Sequence, residues 1–339
     1  MAMRAWISAV FVALVMTAAP ASAQVGMGKV TLPGQSDDLP VTVFLPLSEQ
    51  GLPKAGNGRL IVISHGSGAW YGVYTDLARA LVDAGYVVAF PQHAGDRLND
   101  DAHPGPDSWK RRPEEVSHAI DAVAADAHLA RLLKLDRVGV YGMSAGGHTA
   151  LTLAGGAWSP SLLKQHCDAH LAEDFQTCVG LVTSLNGNWL DGLKLWLARR
   201  IIDGRLTDTT RYTHVDPRIA AVAAAVPLAA DFDLDTLAKP RVPLAILTAG
   251  RDVWLVPRFH ADRVLAACLP RCEHLVDMPD AGHGAYLSPL PPNLDGLLGR
   301  LINDPVGFDR AQLTQVHRKL VDFFDRHLRA QTSASIPGS

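Results

Sequence analysis

Charge of either sign is scarce and unclustered. Lys and Arg number 31 against 34 Asp and Glu, a formal net charge of −3, and only 19% of residues are charged. A nucleic-acid-binding domain ordinarily has a basic face and a high isoelectric point; the value here is about 6.5, which argues against that class. The chain has no Gly-x-Gly-x-x-Gly or phosphate-loop pattern after a strand, so no nucleotide cofactor is indicated. It has no His-Glu-x-x-His, no internal repeat and no block of like charge. Beyond the first residues, no segment is long and apolar enough to span a bilayer. Cysteine is limited to four residues.

Hydrophobic residues make up 48% of the 339. That is ample for one large α/β domain and excludes disorder as the general description. The N-terminus reads as an export signal over residues 1–23. Arg4 precedes the apolar run Ile7–Met16, and Ala21-Ser22-Ala23 has the small residues that signal peptidase accepts. The expected location is therefore periplasmic or secreted, with no stable membrane insertion after cleavage. Export permits disulfides. Four cysteines allow three connectivities; local spacing favours Cys167 with Cys178 and Cys268 with Cys272.

Between residues 24 and 330, strand and helix patterns alternate. Strands are expected at Lys29–Thr31, Val41–Leu45, Arg59–Ser64, Tyr86–Phe90, Arg137–Tyr141, Ile219–Val226, Val242–Thr248 and His274–Asp277. Helices are expected at Tyr71–Ala84, Pro113–Leu133, Ser144–Gly155, Arg258–Ala267 and Arg310–Arg329. This order predicts a single α/β domain with a mainly parallel sheet and helices on both faces. Residues 158–214 interrupt the alternation. They hold two cysteines, two further tryptophans and a helix pattern at Leu190–Ile202, and are read as a cap or lid. The tail 331–339 is expected to be disordered.

The most informative segment is Gly142-Met-Ser144-Ala-Gly146, which follows a strand and opens a helix. Gly-x-Ser-x-Gly in that context is the nucleophile elbow, with Ser144 on a sharp turn and a helix N-terminus behind it. A serine nucleophile needs a base, and the base needs an orienting acid. Downstream, Ala249-Gly-Arg-Asp252 and Ala281-Gly-His283 each follow a strand. They nominate His283 as base and Asp252 as acid, with Asp231 as the alternative acid. His65 is read as holding its own loop, and His260, His274 and His317 as packing or surface residues. Two N–H donors for an oxyanion are expected from Ala145 and Ser67, the latter in the Gly-rich loop His65–Gly68. Trp70, Tyr71 and Tyr286 are candidates to line an acyl or alcohol pocket, or else core aromatics. His166-x-x-x-His170 beside Cys167 is a metal alternative without an evident third and fourth ligand. No cofactor is expected.

On Leu60–Gly68, Gly85–Asp96, Trp109–Val116, Gly142–Gly147, Ala249–Asp252 and Ala281–His283, the chain resembles the α/β-hydrolase superfamily. Within it the chain is similar to the exported branch labelled predicted dienelactone hydrolases, and to polyester hydrolases and platelet-activating factor acetylhydrolases. The resemblance implies an α/β-hydrolase fold, a Ser144–His283–Asp252 triad, oxyanion donors Ser67 and Ala145, and a small-molecule or polymeric ester as substrate. It departs from true dienelactone hydrolases, whose nucleophile is cysteine. An amidase or peptidase using the same triad, and a non-catalytic binding protein on the same fold, are the competing expectations.

Overall fold

Strands whose residues are buried on both faces organise the molecule. The computed structural model describes residues 26–36, 39–291 and 294–329; the expected leader at 1–23 and tail at 331–339 lie outside them. The strands are β1 (Gly26–Leu32), β2 (Val41–Leu47), β3 (Leu60–Ser64), β4 (Val87–Phe90), β5 (Val138–Met143), β6 (Ala157–Trp158), β7 (Ile219–Ala225), β8 (Phe232–Asp233), β9 (Leu244–Ala249) and β10 (Glu273–Met278). Eight form one sheet in the order β1-β2-β4-β3-β5-β7-β9-β10. β2 pairs antiparallel with β1 and β4, and the remaining pairs are parallel. β6 and β8 form a short antiparallel ribbon.

The helices are α1 (Thr75–Asp83), α2 (Pro106–Ala125), α3 (Leu129–Leu132), α4 (Ala145–Leu153), α5 (Pro160–His170), α6 (Phe175–Val179), α7 (Asp191–Arg205), α8 (Leu234–Leu237), α9 (Ala261–Cys268), α10 (Gly296–Ile302) and α11 (Leu313–Leu328). Alternation along the central strands sends side chains to two helical layers. Tyr141, Met143 and Ala223 meet Leu77 and Leu81 of α1 and Leu320, Phe323 and Phe324 of α11. Val138, Val140 and Val222 meet Val116 and Ile120 of α2, Leu151 of α4 and Val264 of α9. Gly139 is small because a Cβ there would lie 2.9 Å from Phe324 and Leu328 of α11.

Several boundaries differ from expectation. Pro113 was expected to open a helix running to Leu133, but α2 starts at Pro106, behind Gly105 in a left-handed conformation (φ 83°). Pro106 takes the first-turn position that suits proline, and Pro113 is tolerated inside at the cost of the Trp109 carbonyl's helical partner. The same stretch breaks at Asp126, whose Oδ1 accepts the N–H groups of His128 and Leu129 and starts α3 afresh. The first turn of the Tyr71–Ala84 segment is 3₁₀ rather than α (Tyr71–Tyr74). Residues 158–214 hold α5, α6 and α7. Disulfides join Cys167 to Cys178 and Cys268 to Cys272. Among the described residues, no helix is long and apolar enough to cross a membrane.

Candidate active site

Register brings four loops to one edge of the sheet. Ser64 of β3 pairs with Gly142 of β5, Met143 with Ala225 of β7, and Ala249 of β9 with Met278 of β10. The segments leaving β3, β5, β9 and β10 therefore emerge together, where ligands bind in open α/β sheets.

Ser144 sits between β5 and α4 with φ 59° and ψ −119°, a conformation that costs an L residue energy and is kept by its surroundings. Its N–H donates to Ala225 O (3.1 Å), and its carbonyl accepts from Leu228 N–H (3.3 Å) and His148 N–H (3.0 Å). The flanking glycines are obligatory for space. A Cβ on Gly142 would lie 1.9 Å from Gly146 O, and one on Gly146 would lie 1.9 Å from Ser64 O. The pattern Gly-x-Ser-x-Gly thus follows from close packing of β5 and α4 against β3.

His283 opens a 3₁₀ turn, His283–Tyr286. Its Nε2 is 2.9 Å from Ser144 Oγ and its Nδ1 is 2.6 Å from Asp252 Oδ2. Asp252 Oδ1 accepts the backbone N–H groups of Trp254 (2.8 Å) and Leu255 (2.9 Å). With the carboxylate fixed as an acceptor, Nδ1 carries the imidazole proton and Nε2 accepts from the serine hydroxyl. His283 and Asp252 are buried, and Ser144 retains 9% of its surface. The turn is braced from below. Arg310, paired with Asp304, donates to Gly284 O (3.1 Å) and Leu287 O (2.7 Å). Trp254 lies beside the imidazole, with ring centroids 5.1 Å apart.

Asp231 is elsewhere. Its Oδ2 meets His148 Nε2 at 3.0 Å in full burial, and it makes no bond to His283. His260 Nδ1 accepts from Ala229 N–H and its Nε2 faces Thr177 and Asp174; His274 faces Thr248. His166 Nε2 is 2.8 Å from Asp174, Cys167 is in a disulfide, and among the described residues no group of three or more His, Cys, Asp or Glu side chains is arranged to hold a metal ion.

The loop after β3 is held by a buried polar network. Asp96 and Arg112, both fully buried, pair at 2.7 Å. Asp96 Oδ1 accepts the Ser67 hydroxyl and the Gly68 N–H (3.0 Å), Arg112 donates to His65 O (2.6 Å), and Tyr74 OH accepts Gly66 N–H (2.9 Å). His65 donates to its neighbour Gly66 O, 2.8 Å from Nδ1, a contact within its own loop. His93 bridges Ser64 Oγ (2.8 Å) and Glu115 (2.6 Å). Burial raises the Asp96 carboxyl, but the Arg112 charge and the hydrogen bonds from Ser67 and Arg112 outweigh it and bring the pKa to about 2. Within the described residues no protein acceptor takes the N–H of Ser67 or of Ala145, the first residue of α4.

The aromatic candidates are placed in packing positions. Tyr286 is buried and its hydroxyl donates to Thr248 O (2.8 Å). The Tyr71 hydroxyl accepts from Lys29 Nζ (2.6 Å), and its ring packs on Phe44 and Phe90. Trp70 is half-buried ahead of the 3₁₀ turn. Asp96, Arg112, Glu115, Arg310 and Trp254 carried no role in the sequence reading. The resemblance quoted the segments of the first three, but only tertiary contact gives them a function. No family model matches the chain, and no curated protein matches it.

Proposed function

We propose that the chain is an exported serine hydrolase of α/β-hydrolase fold that cleaves carboxylic esters through an acyl-Ser144 intermediate. The observation that carries this reading is the hydrogen-bonded line Ser144 Oγ–His283 Nε2, His283 Nδ1–Asp252 Oδ2, begun at a serine of positive φ on a strand-to-helix turn. Two intramolecular disulfides support an oxidising, periplasmic or extracellular location.

In the first half-reaction Ser144 Oγ attacks the ester carbonyl carbon while its proton passes to His283 Nε2. The carbonyl oxygen becomes an oxyanion and accepts from the free N–H groups of Ala145 and Ser67. The helix N-terminus at Ala145 adds favourable partial charge. Collapse breaks the bond to the alkoxy oxygen, which leaves as the alcohol with the proton from His283. Water then adds to the acyl carbon, giving its proton to His283. The second collapse releases the carboxylic acid and returns the proton to Ser144. Asp252 holds the imidazole tautomer throughout.

The test uses the chain lacking residues 1–23, a fluorophosphonate probe and 4-nitrophenyl esters of increasing acyl length. Labelling and turnover should both be present and be lost in Ser144→Ala, with kcat/KM falling about 10⁴-fold or more. A folded wild-type protein that neither labels nor turns over would be a binding protein on this fold.

A further inference from the structure

Helix α7 presents an apolar face to solvent. Ala198 and Ile202 are its buried residues. Leu193, Trp196, Leu197 and Ile201, at helical spacing, lie exposed on the other side. Trp189, just ahead of the helix, and Val182, in the segment after α6, are each 87% exposed, and Trp196 is 58% exposed. Single exposed hydrophobic residues are ordinary; six close in sequence, two of them tryptophan, are not.

The charge on this helix is basic. Lys194 is matched by Asp191 (2.9 Å), and Asp203 by Lys164 (2.8 Å). Arg199, Arg200 and Arg205 are exposed and form no direct ion pair with a described acid, although the charges of Arg199 and Arg200 reach Asp203, on a protein whose formal net charge is −3. Trp196, Leu193, Leu197 and Arg200 share one side of α7 with Arg199 at its edge, and tryptophan and leucine with arginines long enough to reach outward are the chemistry of a helix lying in a lipid–water interface. The indoles sit at headgroup level and the guanidinium groups meet phosphate. A second copy of this face would bring the arginines together, which like charge opposes.

We infer that the α7 face, with Val182 and Trp189, is a docking surface for an anionic lipid interface. The surface is continuous with the candidate active site through its own chain. α6, which precedes Val182, sets the Thr177 hydroxyl against the carbonyl of Trp254, the residue beside His283, and Arg300 donates to Ser184 Oγ in the intervening segment (3.0 Å). Docking there would hold the protein at the lipid surface without a spanning segment. The inference stands on surface composition, so binding is measured independently of ester turnover.

The experiment sediments the chain lacking residues 1–23 with vesicles of phosphatidylcholine alone and of phosphatidylcholine with phosphatidylglycerol, at low and high salt. Partitioning should favour the anionic vesicles and weaken with salt. It should fall about tenfold or more in Trp189→Ser/Trp196→Ser and by a similar factor in Arg199→Gln/Arg200→Gln. All four positions are exposed, so circular dichroism should be unchanged in both variants. Absence of partitioning by the folded wild-type protein overturns the inference. So does equal, salt-insensitive binding to both vesicle types, or binding that both variants retain. A concentration-dependent dimer in sedimentation velocity, abolished by the tryptophan substitutions and without vesicle binding, would instead assign the face to a second copy.

Discussion

Two buried histidine–aspartate pairs flank the same serine, and only one reaches it. His283 and Asp252 meet at 2.6 Å, with the second imidazole nitrogen 2.9 Å from Ser144 Oγ. His148 and Asp231 meet at 3.0 Å, and the second nitrogen of His148 has no partner among the described residues. His148 is four residues after Ser144 on rigid α4, with its ring enclosed by Trp109, Trp158 and Phe232. His283 is on a short 3₁₀ turn whose backbone can bring Nε2 across to the serine. The pair itself is therefore not the device. What separates them is where the free nitrogen points, and backbone placement decides that.

The comparison breaks most sharply on the two aspartates. Asp252→Asn should lower kcat about 10⁴-fold, because the imidazole loses its oriented tautomer and the support for its cation. Its melting temperature should change little, since Asn can still accept from Trp254 and Leu255. Asp231→Asn should leave kcat within about threefold and destabilise by about 1–3 kcal/mol, as a buried partner of His148 is weakened. Paired kinetics and urea unfolding on both variants would read this crossover. A larger catalytic loss in Asp231→Asn would reverse the assignment.

A smaller effect separates the serine's own machinery from the loop that faces it. Asp96 fixes Ser67 through its hydroxyl and Gly68 through its N–H, so in the proposed mechanism it would act only by placing a donor. Ser67→Ala keeps the Asp96–Arg112 pair and should lower kcat about tenfold with KM nearly unchanged. Asp96→Asn should lower kcat about 10²-fold and also destabilise by about 3–5 kcal/mol, since Arg112 is left buried and uncompensated. A raised KM with kcat unchanged in Ser67→Ala would mean that the loop binds substrate and transition state alike.

Which of these residues could be read in advance follows from how each acts. Ser144, Asp252 and His283 stand in loops with glycine signatures directly after apolar strands, so local pattern finds them. Asp231 also follows an apolar strand, though without a glycine, and sequence alone leaves it as a rival because the deciding quantity is a distance across the fold. Arg112 and Glu115 are charged and nothing in their spacing marks them as interior, yet both are buried. Their partners His65, Asp96 and His93 come from other loops, and nothing local announces the contact. Pro113 misplaced the start of α2 because proline commonly opens helices, while the opening residue was another proline, Pro106. Leu193, Trp196 and Leu197 are the converse case. Their apolar pattern predicts a helix but is the same for a buried and an exposed face, so their exposure is a fact of packing alone.

The comparison of buried histidines extends to the loop after β3, where the expected effect is on stability. Burial, then the charge of Arg112, holds His93 well below the ordinary histidine value of about 6.5; burial, His93 and Arg112 do the same to His65. The folded protein keeps both rings neutral, whereas the unfolded chain protonates them. Their stability contribution is thus fully present above about pH 6.5 and is lost as pH falls below it, at up to about 1.4 kcal/mol per pH unit for each ring. Glu115 opposes this in part. Burial raises its carboxyl, so its contribution is present below about pH 4.5 and is lost as pH rises through the raised value. Asp96 adds a second acid window, because its stabilisation is present above about pH 4 and is lost as pH falls toward about 2. Urea unfolding at about pH 8, 6 and 5 should show a declining midpoint, and His93→Gln should flatten the decline by removing one of the two rings. A midpoint constant across that range would mean that the network admits a charged imidazole. Arg112 would then face two cations less strictly than its contacts with Asp96 and His65 require.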